Sequence, residues 1–192
     1  MQIGFLLASM SFLVAMFSAR TQIGGAAIPV DGFWWGALLL FVGIQLIQTS
    51  VKRKKQMISG GLLLSQALTL VALVLDTVSL IVSGAFWQFL LLDVCWIVTL
   101  LRTWFLYRGL AEVDQLLEQS NTDALLTTRN HASFIAALVL LFAVLLPMMS
   151  TVGEVLFYGY QVAYILWAGY QSFILTRIQR YYLPKPPEPP KE

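Results

Sequence analysis

Residues 58–107 form one apolar stretch in which Asp76, Asp93 and Arg102 are the only charged side chains. A helix needs about 20 apolar residues to cross a bilayer core, so the stretch is too long for one crossing and suits two. Ser83-Gly84 is the one pair of small residues near its middle, and the break is expected there. This feature alone removes most soluble folds from consideration. Composition agrees: 11% of the residues are charged, against about a quarter in an average soluble domain. A chain this apolar cannot cover its own surface with polar groups.

The same reading along the chain predicts an all-α integral membrane protein, a bundle of six transmembrane helices with both termini cytoplasmic. The spans are expected at about 3–18, 32–50, 58–83, 85–107, 132–151 and 155–178. Pro147 falls inside the fifth and is expected to kink it. The first span is short and ends in small residues, as a signal peptide does, but no Lys or Arg precedes it, so a retained helix is the preferred reading. Together the spans make one transmembrane domain, residues 1–183, followed by a tail.

Orientation follows from the basic residues. Lys52, Arg53, Lys54 and Lys55 join spans two and three, Arg108 and Arg129 join four and five, and Arg177, Arg180, Lys185 and Lys191 follow span six. Six crossings put all of these on one side and leave Arg20 on the other. Arg102 lies inside span four, where its long stem is expected to snorkel to the cytoplasmic end. With no obvious transit sequence, a bacterial inner membrane is the expected location. The even spans each open with an aromatic pair (Phe33-Trp34, Phe86-Trp87, Phe157-Tyr158) and end in basic residues. Interfacial aromatics and the positive-inside rule account for that repetition without a repeated fold.

Asp76 and Asp93 are the sharpest candidate site. Each lies about 12–14 Å below the hairpin tip at Gly84, and neither has a cation nearby on its own hairpin. Ionisable residues in a membrane are functional candidates by default. The pair suggests a proton or cation site, or an inter-subunit contact; whether the two face each other depends on helix rotation. Ser65, Thr69, Ala72, Asp76, Ser79 and Ser83 recur at helical spacing, the small and hydroxyl-bearing face that close packing in lipid uses. In span six, Gln161, Tyr164, Ala168 and Gln171 form a polar stripe. It suits a helix–helix seam and, less often, a ligand pocket. Gln45, Gln48 and Gln66 are candidates for the same interior network.

Between spans four and five, residues 109–131 read as a cytoplasmic amphipathic segment. Leu110, Val113, Leu116 and Leu117 share one face, with Glu112, Asp114 and Glu118 set off it. The segment is acidic, so a protein partner or the protein's own helices suit that face better than anionic lipid. Leu110, Leu116 and Leu117 are the contact candidates. TDALLTTRNHASFIAAL, Thr122 to Leu138, resembles the opening of a diguanylate cyclase domain at Thr122, Asp123, Ala124, Leu125, Asn130 and Phe134. The likeness stops there: the following residues read as a membrane span and no GG[DE]EF signature occurs, so nucleotide chemistry is not implied.

The tail, residues 184–192, is proline-rich and favours an extended conformation, either solvated or docked in a partner's groove. No Walker A, GxGxxG, GxSxG or CxxC motif is present. With one histidine and one cysteine, a zinc or bis-histidine haem site within the chain is disfavoured. No cofactor and no nucleic acid is expected. The function expected is that of a non-catalytic subunit or scaffold of a larger membrane complex, touching the bilayer and other membrane subunits. The alternatives are a small secondary transporter using Asp76 and Asp93, and a sensor signalling through residues 109–133.

Overall fold

The computed structural model describes residues 1–18, 20–23, 26–29, 34–148 and 154–182. Six α-helices dominate: α1 (Gln2–Ser18), α2 (Trp34–Lys55), α3 (Gly60–Ile81), α4 (Ala85–Leu116), α5 (Thr122–Leu145) and α6 (Glu154–Tyr181). A short antiparallel pair, β1 (Arg20–Ile23) and β2 (Ala26–Pro29), follows α1, with Arg20 opposite Pro29 and Ile23 opposite Ala26. The sequence reading had no strand there.

Four helices carry stretches long and apolar enough to cross a bilayer: Trp35–Lys55, Gly60–Ser79, Ala85–Leu116 and Thr122–Leu145. The apolar part of α1, Gln2–Met16, is shorter. Tyrosines and glutamines keep α6 out of this group despite its 28 residues. The protein is therefore an all-helical membrane bundle by fold.

Sequence and structure agree on the break between α3 and α4. Residue 84 has φ 113°, a backbone region that glycine alone enters freely, and Gly84 caps α4. The ends of α4 and α5 differ from expectation. The 109–131 segment is not a separate surface helix: α4 continues to Leu116, and α5 begins at Thr122. Only residues 117–121 turn the chain. Nothing in 108–116 breaks a helix, because it holds no proline and its one glycine is needed for packing. α5 ends at Leu145, two residues before Pro147. Proline has no N–H to give and disfavours α geometry before it. The Leu146 N–H bonds back to the Ala143 carbonyl, and Leu146–Met148 tighten into a 3₁₀ turn. The expected remainder of that span, residues 149–151, and the 184–192 tail lie outside the described residues.

The helices close a ring. α1 packs on α2 and α6, α6 on α5, α5 on α4, α4 on α3, and α3 on α2. Two glycine crossings set the closest approaches. A Cβ on Gly4 or on Gly43 would stand 2.7 Å from the other residue's carbonyl oxygen, which fixes α1 against α2. A Cβ on Gly109 would collide with the Leu62 nitrogen, which fixes α4 against the start of α3. Small residues permit such backbone contact, the main source of helix association where lipid is as apolar as leucine. The outward faces carry Leu6, Leu13, Leu64, Val74, Ile97 and Leu141, all exposed, as a lipid-facing surface requires.

One end of the bundle gathers the starts of α1, α3 and α5 with the ends of α2, α4 and α6. The Met1 amino group donates to Ser50 Oγ, Phe5 stacks on Tyr182, and Lys55 pairs with Glu118.

Candidate functional site

The two intramembrane aspartates are not brought together. Asp76 is buried against α4, where the Cys95 thiol donates to Asp76 Oδ1 at 3.2 Å. Asp93 stands two residues before Cys95 on the same helix, about 200° round its axis. It therefore points away from the face that Asp76 touches. Asp93 is half-buried, and its Oδ1 makes no hydrogen bond among the described residues. Ser65, Thr69 and Ala72 of the expected α3 face are buried, Ser79 is half-buried, and Ser83 lies past the helix end and is exposed. Ser65 Oγ donates to the Arg102 carbonyl across the α3–α4 seam.

The middle of the ring is filled by large side chains from α4 and α6. Trp96 makes edge contacts with Tyr160, Tyr164 and Trp167 at centroid distances of 6.3, 6.0 and 5.2 Å. Trp96 Nε1 donates to Tyr160 Oη at 3.0 Å. Tyr164 donates to the Ala15 carbonyl of α1, and Tyr107 donates to Gln171 Oε1 at 2.6 Å. Of the expected α6 stripe, Tyr164, Ala168 and Gln171 are buried and Gln161 is half-buried. The bonds of Tyr164 and Gln171 run to neighbouring helices, so the stripe is a seam rather than a pocket lining. The glutamines of α2 and α3 stay apart from it. Gln66 donates to Gln45 Oε1, and the buried Gln48 Nε2 has no partner among the described residues.

Arg102 departs from expectation. It does not snorkel; it is 2% exposed, with its Cζ 6.0 Å from the Trp167 ring centroid. A cavity of about 10 Å³ beside it is bounded by Ser11, Ala15 and Gly36, too small for any ligand but water. Rotation of α4 explains the placement. Thr99, Thr103, Leu106 and Arg102 share its buried face, so the guanidinium enters the ring interior beside an aromatic face.

The densest polar assembly lies at the basic end. Asp114 is fully buried and accepts four hydrogen bonds. Its Oδ2 takes the Asn121 backbone N–H at 2.9 Å and the Thr122 hydroxyl at 3.0 Å. Its Oδ1 takes the Tyr182 hydroxyl at 3.1 Å and Asn121 Nδ2 at 3.3 Å. One carboxylate thus ties the end of α4 to the start of α5 and to the end of α6. Burial, and then the Asp114 charge, push the Tyr182 hydroxyl far above its usual range. Beside it, Glu112 Oε2 accepts from Ser59 Oγ at 2.8 Å and from the Gly61 N–H at 3.0 Å, joining α4 to the start of α3. Lys55 holds Glu118 at 2.6 Å, and that hydrogen bond lowers the Glu118 carboxyl.

Sequence reasoning placed Asp114 off the apolar face. The signal that corrects it was present: Asp114 is four residues after Leu110, almost directly above it on a helix. The contact leucines are covered by the protein's own helices. Leu110 is fully buried, and Leu116 and Leu117 are half-buried against the same core.

The class defined by these features is a helical membrane bundle with a plugged interior and a hydrogen-bonded clasp at its basic end. No protein-family model, no curated protein and no solved structure matches the chain.

Proposed function

We propose that the chain is a non-catalytic integral subunit or scaffold of a larger membrane assembly, crossing the bilayer six times with both termini cytoplasmic. The orientation rests on the positive-inside rule. Lys52, Arg53, Lys54, Lys55, Arg108, Arg177 and Arg180 follow the buried parts of the even helices at one end. α1 and α6 complete the six crossings because both are members of the closed ring. A bacterial inner membrane suits that charge pattern.

The observation that carries the scaffold reading is the filled interior. Trp96, Tyr160, Tyr164 and Trp167 occupy the space between α1, α4 and α6, and their rings contact one another. A transport pathway needs polar groups reachable from both sides, and the turning of Asp76 onto Cys95, away from Asp93, separates the two carboxylates such a pathway would use. What remains for function is surface: the lipid-facing helices and the hairpin at the clasped end. The test is native mass spectrometry after gentle extraction from the protein's own membrane. Co-purification with other membrane subunits at fixed stoichiometry is the expected result. A chain that runs alone, and that in liposomes carries an ion flux abolished by Asp76→Asn or Asp93→Asn, would sink the reading in favour of transport.

A second reading, a sensor acting through residues 109–133, draws on the length of α4. Its 32 residues span about 48 Å against a bilayer core of about 30 Å. The helix therefore continues without a joint into the hairpin, and a shift in the membrane would move it. Alanine at Leu116 and Leu117 is expected to uncouple a signalling partner on this reading; intact signalling counts against it.

A further inference from the structure

A cavity of about 490 Å³ opens at the basic end, between the first turn of α1 and the last turn of α2. Met1, Gln2, Ile3, Ser50, Arg53, Lys54 and Tyr182 line it. Neither Arg53 nor Lys54 is in an ion pair among the described residues; the pairs formed there are Lys55 with Glu118 and Arg108 with Glu112. Among the described residues, no carboxylate lines the cavity. The first turn of α1 adds backbone N–H groups, since the earliest helical N–H to find a partner is that of Phe5, bonded to the Met1 carbonyl. Tyr182 makes a firm wall, its ring stacked on Phe5 at 5.3 Å and its hydroxyl held by Asp114.

Exposed apolar side chains lead away from the cavity along α1 and α2. Ile3 is 67% exposed, and Leu6, Met10 and Leu13 continue its stripe down the outside of α1. Leu46, Val42 and Leu38 form the matching exposed stripe on α2. Two basic side chains, the Met1 amino group and free amide donors thus stand at the head of exposed apolar stripes on α1 and α2. We infer that this cavity is a binding site for the phosphate headgroup of an anionic phospholipid, with Arg53 and Lys54 on the phosphate and the acyl chains along the exposed faces of α1 and α2. Basic pockets between membrane helices at the cytoplasmic surface recognise such headgroups by this combination of charge and depth. The orientation proposed above assigns the lipid to the cytoplasmic leaflet; the binding itself does not depend on orientation or on the scaffold reading.

The test uses the full chain in detergent and in nanodiscs, with lipid retention read by native mass spectrometry. Phosphatidylglycerol is compared with phosphatidylcholine, and sn-glycerol 3-phosphate serves as the soluble counterpart. Phosphatidylglycerol is expected to bind at least ten-fold more tightly than phosphatidylcholine. Arg53→Gln and Lys54→Gln should each weaken it about five-fold, and the pair together about 25-fold, from the usual worth of a basic residue near an anionic surface. Arg53→Lys should restore most of the binding. Lys52→Gln, a neighbour that does not line the cavity, is the control for general charge. Equal binding of the two lipids, or an equal loss in Lys52→Gln, overturns the site. Binding of glycerol phosphate as tight as that of the lipid overturns the lipid as its occupant.

Discussion

Asp114→Ala should open the α4–α5 turn, and the size of the effect follows from what the carboxylate holds. The Asn121 N–H is fixed by the backbone and has no other acceptor in the turn, so losing Oδ2 leaves a donor unsatisfied, at a cost of about 1–3 kcal/mol. The Thr122 and Tyr182 hydroxyls can rotate toward water, which limits their share to about 1 kcal/mol together. The buried carboxylate also carries a desolvation cost that alanine removes, offsetting part of the total. A net loss of about 2–3 kcal/mol in local stability results. Hydrogen exchange of the Asn121 amide is the direct assay, because exchange from a locally opening segment tracks the opening equilibrium. At about 1.4 kcal/mol per factor of ten, the amide should exchange roughly 30- to 150-fold faster. Asp114→Asn keeps one acceptor oxygen and should stay below ten-fold. Asp123→Asn, exposed on the same hairpin, should change little. An Asn121 amide in Asp114→Ala that exchanges within three-fold of wild type refutes the idea that this carboxylate holds the turn.

Tyr182→Phe keeps the stack on Phe5 and loses the bond to Asp114, so its effect should be pH-dependent. The folded state holds the Tyr182 proton well above the usual phenol range, while an unfolded chain releases it near pH 10. The stabilisation is therefore complete below about pH 10 and is lost as pH rises from there toward the folded value. The wild-type advantage in thermal melts should shrink above that pH; an advantage that grows would refute it. Gly109→Val forces a side chain against the α3 backbone at Leu62, and overpacking of this kind costs about 1–3 kcal/mol or more. Melting in detergent should drop, while Gly60→Ala, with nothing within 4 Å, should leave it unchanged. Cys95 is the sole cysteine and is 4% exposed, so maleimide labelling of the folded protein should be slow. Asp76→Ala should speed it several-fold by removing the group packed on the thiol; unchanged labelling would show that the aspartate does not cover it.

Much of the helical architecture was legible because hydropathy acts over whole turns. The break at Ser83-Gly84 and the packing face of α3 through Ser65, Thr69 and Ala72 needed only composition and spacing. What misled was charge. Glu112, Asp114 and Glu118 made residues 109–131 read as a surface segment, yet acidic residues do not end a helix when each has a donor to meet. Glu112 meets the start of α3, Asp114 meets the turn and Tyr182, and Glu118 meets Lys55. Those donors lie far away in sequence, or in a turn whose geometry no local pattern announces. Arg102 misled in the same way. Its distance from the basic end allowed snorkelling, and only the rotation of α4 decided that it would turn inward to Trp167. Rotation also decided that Asp76 meets a thiol and not the second aspartate.

The distribution of polar groups along the bundle separates two kinds of restraint. In the middle, aromatic rings and hydrogen bonds between neutral groups, such as Tyr164 to Ala15 and Ser9 to Ser172, join the helices, and each such bond in a membrane contributes only about 0.6 kcal/mol on average. At the basic end, Asp114 accepts four hydrogen bonds and Glu112 two, and hydrogen bonds to charged groups are about twice as strong as neutral ones. The clasp is thus the stiffer part, and the ring can adjust above it while the starts of α3 and α5 and the end of α6 stay fixed together. A partner or a lipid that engages the basic end meets a preorganised surface. The ordering cost that usually weakens binding is already met there by Asp114 and Glu112. Loosening that end by Asp114→Ala should then weaken retention of an anionic lipid at Arg53 and Lys54, since Tyr182 forms both the wall of that cavity and one arm of the clasp.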